Sequence, residues 1–196
     1  MAHSEDPHGS DSEASFVKKL PFLLLLLAAP LCGRAQTPDQ KGPGDLRGVL
    51  LEMLHTTHDK EDWFVSGNVA IAHVTPEQAR WTDGKGGHSV GQLTYHLVFW
   101  DTEQLDKFKG EKPPAFSGNN DETFNDFDAK KWEKTVKDYD AVMTEWEKAV
   151  AAADDKKLAL WASSIEHVAT HNAYHIGQIL YVRKLQGAWD PAKGVK

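Results

Sequence analysis

The chain has one cysteine in 196 residues, Cys32, and it lies near the N-terminus. No intrachain disulfide can form, and if that terminus is removed the chain keeps neither a thiol nucleophile nor a thiolate ligand. Any metal must then be held by nitrogen and oxygen. Lysine and arginine never run longer than a pair, and the formal charge is −7. That argues against a duplex nucleic-acid surface, which needs a basic stripe. No segment alternates like a strand, no repeat is visible, and no apolar run reaches the roughly 20 residues that span a bilayer. A stable membrane anchor is therefore not expected.

What is present begins with a leader. "FVKKLPFLLLLLAAPLCGRAQ" has a lysine pair, an apolar stretch from Phe22 to Leu31 and small residues before Gln36. This is the layout of a secretory signal, with Gly33 and Ala35 at −3 and −1 of the cut. A lipoprotein reading through Cys32 is disfavoured by the bulky Leu31 before it. The expectation is export to the periplasm or medium after cleavage near Ala35. "MAHSEDPHGSDSEAS" is acidic and polar, unusual ahead of a signal, and is not expected to fold. The predicted organisation is leader and signal 1–35, linker 36–44, a helical domain 45–190 and a tail 191–196.

The domain reads as helical throughout. Leu46, Val49, Leu50, Met53 and Leu54 repeat at three and four residues, and a second start is expected near Ser66. "TPEQ" at 75–78 and Ser89 with Gln92 are capping boxes that open two further helices. The second of these carries Leu93, His96, Leu97, Trp100 and Leu105 on one side. Lys109 to Asp128 lacks periodicity and is expected to be a long loop, of the kind that tends to be functional. Trp132, Val136, Tyr139, Met143, Trp146 and Val150 form a clean stripe on the third long helix. The last runs from near Leu158 to Gly187. Four main helices, with the long loop before the third, predict an all-α four-helix bundle, up and down with one longer crossing.

The seven tryptophans suffice for a core, and the ten histidines ask for explanation. His3 and His8 fall in the leader. His55 and His58 are expected at the surface, and His73 and His88 beside solvated loops. His96 sits on the apolar side of its helix. His171 and His175, four apart, share a face just over one turn long. A buried imidazole needs partners for a donor and an acceptor. Three facing inward from two helices are hard to satisfy pairwise, whereas one divalent cation takes a nitrogen from each. Spacing alone leaves both readings open, a metal site or satisfied core histidines. His167 extends the ladder to i, i+4 and i+8, and the drift of about 40° per step forbids all three from meeting His96. The pair His171 and His175 is favoured, because Gly177 would let a backbone or substrate come close. His167 is then a surface residue.

"GGHSVGQLTYHLVFWD", followed by "HNAYHIGQILYVRKLQG", resembles the DinB/YfiT-like superfamily of bacterial four-helix proteins. His96, His171 and His175 fall on its motif, one histidine on the second helix and an H-x-x-x-H pair on the fourth. The resemblance covers residues 45–190. It implies a three-histidine site for zinc, nickel or another divalent ion, often in a homodimer. Characterised relatives include S-transferases and isomerases that use a low-molecular-weight thiol co-substrate; others suggest a hydrolase. Such thiols are cytosolic, which export sets against. DNA binding is not implied.

Two functions follow. One is a metal-dependent transferase or hydrolase acting on a small molecule at an open site. Trp63, Trp100, Tyr174 and Gln178 are then candidates for the pocket wall or for bracing the ligands. Asp101 and Glu103 could also orient a ligand, although surface carboxylates are the plainer reading. The other is a non-catalytic exported metal-binding or stress-related bundle in which the ion is structural. Haem lacks the C-x-x-C-H attachment motif.

Overall fold

The structure is a computed structural model, and residues 44–194 are described. The export signal and nearly all of the linker lie outside these residues. Asp45 opens α1 (Leu46–His58), its carboxylate accepting from the Gly48 amide at 2.7 Å. Two short helices follow, α2 (Gly67–Ile71) and α3 (Pro76–Arg80). α4 (Val90–Lys109) starts on the Ser89/Gln92 capping box and stops at Gly110, whose φ of 82° only glycine adopts freely. α3 opens on the Thr75/Gln78 box in the same way. The expected loop between α4 and α6 (Trp132–Ala152) is not wholly irregular, because it carries α5 (Glu122–Asn125) and a 3₁₀ turn. α7 (Asp155–Leu185) begins one turn earlier than expected, since Asp154 accepts from the Lys157 amide at 2.8 Å and so caps it.

The four long helices form the bundle. α1 and α4 each pack against both α6 and α7, so α1 and α4 are diagonal to one another. This leaves two opposite faces, α4 with α7 and α1 with α6. The stripe on α6 is buried as expected: Trp132, Tyr139, Met143, Trp146 and Val150 are core. The α1 stripe is only half so, with Leu50 and Leu54 buried and Leu46 and Val49 exposed.

Buried polar groups tie the short helices down. The Trp132 indole donates to the Val74 carbonyl at 2.7 Å, and Arg183 donates to Ala70 at 2.7 Å. The Tyr139 hydroxyl donates to the Thr57 carbonyl at 2.7 Å. Gly67 is needed there, because a Cβ would strike the Tyr139 ring, and Gly91 stands likewise against Phe127. Gly177 does not behave this way: its Cβ position faces open space. Among the described residues no other backbone comes close to Gly177.

Candidate metal centre

α4 presents His96 and α7 presents His171 and His175 to a common point. The Nε2 atoms of His96 and His171 stand 3.2 Å apart. One ligand nitrogen from each of the three lies within 4.8 Å of the others. Two nitrogens bound at ~2.0–2.1 Å to a tetrahedral zinc ion would be about 3.3 Å apart, so the spacing suits a shared cation.

Hydrogen bonds choose the tautomers. His96 Nδ1 meets Thr123 Oγ1 at 2.6 Å, and the Thr123 hydroxyl itself donates to the Asn120 carbonyl at 2.6 Å. The threonine oxygen must then accept, which places the proton on Nδ1 and leaves the Nε2 lone pair free. The Gln178 amide nitrogen donates to the Tyr174 hydroxyl at 3.1 Å, turning its Oε1 to accept from His175 Nδ1 at 2.6 Å. His175 Nε2 is freed in the same way. No side chain braces His171 like this among the described residues.

The rings are neutral at pH 7. Burial holds His96 down at about 3, with His175, His171 and His88 adding to the effect. Burial, then His171, lowers His175 to about 4 against the Gln178 bond, which raises it. Burial also lowers His171. Neutral imidazoles with lone pairs aimed at one point are metal ligands in waiting. Phe124 stacks on His96 at 3.9 Å, and its other face takes His88 at the same distance.

A cavity of about 830 Å³ opens onto the three histidines. Trp100 and Tyr174 line it as expected, although Tyr174 is 63 % exposed. Trp63 does not: it is 84 % exposed in the bend after α1 and lines no part of this cavity. An aromatic outside any periodic stripe carried no information about its direction. Gln178 is outside the cavity wall and is hydrogen-bonded to His175. His167 is on the rim and largely exposed, as expected.

Three readings of charged residues need correction. Asp101 is 1 % exposed rather than on the surface, and Asn172 donates to it at 3.0 Å, joining α4 to α7 behind the histidines. Burial pushes its carboxyl up to about 8, against the lowering effect of Asn172, so it is neutral at pH 7. His58 is 3 % exposed, not a surface residue. Its Nδ1 lies 2.8 Å from a Glu147 carboxylate oxygen and its Nε2 3.0 Å from one of Asp140. His55, Asp59 and Glu147 also cluster within 4.8 Å, but there the histidine already pairs with Glu147 at 3.1 Å. Glu103 is not a free surface carboxylate either: its side chain is only 14 % exposed and pairs with Lys107.

Thr123, Phe124 and Asn172 were not anticipated. The first two lie in a stretch without periodicity, whose only signal was its length.

The profile of the DinB superfamily matches residues 68–179, more than half of the chain and a span holding all three histidines. The chain belongs to the DinB superfamily. No curated protein and no solved structure matches it. As a DinB-superfamily domain it thus combines an all-α bundle with a histidine cluster able to coordinate a divalent cation.

Proposed function

We propose that His96, His171 and His175 hold one divalent cation, zinc or nickel, and that the protein is a metal-dependent transferase or hydrolase acting on a small molecule. One observation carries this reading: the three neutral imidazoles face an open cavity rather than a sealed core. Such a cation supplies a Lewis-acidic centre that favours the deprotonated form of a water or thiol in its remaining positions.

The chain's own residues do the rest. Thr123 and Gln178 keep the Nδ1 protons in place, so that the lone pairs do not turn away. Trp100 and Tyr174 line the cavity beside the centre and would pack against a bound molecule. A purely structural ion is less well supported, because α4 and α7 are already joined by Asp101 with Asn172 and by a continuous core.

Export after Ala35 and pairing into a homodimer belong to the same proposal. No described helix is long and apolar enough to cross a membrane, and Leu160, Tyr181 and Leu185 stand exposed along α7. Sedimentation of the mature chain tests the second.

For the reaction, the test is turnover of thiol and ester panels by zinc- and nickel-loaded protein, beside chelated protein and His171→Ala. The expected result is metal-dependent turnover lost in the variant, with helicity retained after chelation. Unfolding on chelation, with no turnover of any substrate, would establish the structural role instead.

A further inference from the structure

Apart from the histidines and the buried Asp101, the wall of the large cavity has no acidic or basic side chain. Trp100, Phe124 and Tyr174 supply its aromatic part, while Gln104, Asn120 and Thr170 supply neutral hydrogen-bonding groups. Among the described residues no lysine or arginine lines it. Asp101, the one acid there, is buried and neutral at pH 7. At the rim the charged neighbour of His167 is another acid, Glu166, 3.8 Å away. The chain as a whole is acidic, at −7.

We propose that this cavity takes a small ligand with a single metal-binding group on an uncharged, partly aromatic body, and that it selects against ligands bearing further carboxylates. This rests on the three-histidine metal reading above.

The physical reason is the cost of taking an anion out of water. A ligand's metal-binding group is compensated by the cation, but a second or third carboxylate would meet aromatic rings, amides and hydroxyls, with no lysine or arginine to pair with. An unpaired carboxylate leaving water costs several kcal/mol at least, and the acidic exterior repels polyanions before they arrive. A flat apolar body is favoured instead. The Trp100 indole is held as a wall by its donation to Asn120 at 3.2 Å and by Phe116 edge-on at 5.4 Å. Aromatic pairs of this kind attract one another beyond what their buried area contributes. Abundant cellular thiols that carry several carboxylates are thus poor ligands by charge alone, independently of where the protein resides.

The test is titration of the cobalt(II)-loaded full chain with benzyl mercaptan, mercaptosuccinate and cysteamine, read by the thiolate-to-cobalt charge-transfer absorption. Benzyl mercaptan is expected to bind at least tenfold more tightly than mercaptosuccinate, with cysteamine between them. Trp100→Ala should weaken benzyl mercaptan several-fold, and Gln104→Lys should narrow the gap to mercaptosuccinate. Equal or tighter binding of mercaptosuccinate to the cobalt-loaded wild type overturns the inference and leaves the metal reading intact. A chain that takes up no cobalt overturns both.

Discussion

Two opposite faces of the bundle carry histidines at helical spacing, and they do different work. On the α4/α7 face, His96, His171 and His175 meet a threonine hydroxyl, an amide oxygen, an aromatic ring and a cavity. On the α1/α6 face, His55 and His58 meet the carboxylates of Glu147 and Asp140. Spacing within a helix brings imidazoles together in both places. What decides their chemistry is the neighbouring helix. Where it offers carboxylates, the ring nitrogens are taken up by contacts that fasten α1 to α6; where it offers neutral acceptors for Nδ1 alone, Nε2 stays free for a cation.

The sharpest way to break this contrast is to remove one ring from each face. His171→Ala should lower zinc affinity by more than about 100-fold, beyond the effect of losing an outer partner, while His55→Ala should leave it unchanged. Equilibrium dialysis of both variants checks this. Next in size is Thr123→Val, which keeps the shape but removes the acceptor for His96 Nδ1. A loss of about 10–100-fold in zinc affinity is expected, with thermal stability near that of the wild type.

On the other face, His58→Ala leaves the mostly buried Glu147 without its shorter partner, at a cost of about 1–3 kcal/mol in urea unfolding. Zinc affinity should not move. A coupled loss of both properties would show that the two faces are not independent.

The smallest effects are in pH. With His96 at about 3 and His175 at about 4, protons compete poorly for the ligands. His171 is lowered as well, so zinc affinity should stay level down to pH 6.5 and fall only below it. The metal-free fold loses stability below pH 6.5, since unfolded imidazoles take up protons that the folded ones refuse. Asp101 works oppositely. Its raised value contributes stability in full below 3.8, and that contribution is lost as pH rises through about 8. Asp101→Asn should flatten the decline in stability between pH 3.8 and about 8, and an unchanged decline there would show that the group is ionised in the fold.

The parts of this that could be read in the sequence are those governed by local period. The stripe of α6, the capping boxes at Thr75 and Ser89, and the inward side of His96 all follow from spacings of three and four residues. The same spacing brought His171 and His175 together, although no other backbone closes on Gly177. What stayed hidden depends on distant chain. His58 was assigned to the surface because its partners lie 82 and 89 residues away on α6. Asp101 was read as an outward carboxylate because its residue type suggests one, yet α4 is covered by both α6 and α7. Thr123 and Phe124 reach the histidines from an aperiodic stretch, where no pattern marks a residue that braces a ligand.

X-ray absorption at the zinc edge of the stoichiometrically loaded protein addresses the central point most directly. The account predicts one tightly held ion with three imidazole nitrogens at about 2.0–2.1 Å and at least one exchangeable light-atom neighbour. Fewer than three imidazoles around the bound zinc, or a shell filled by four protein ligands, would contradict it.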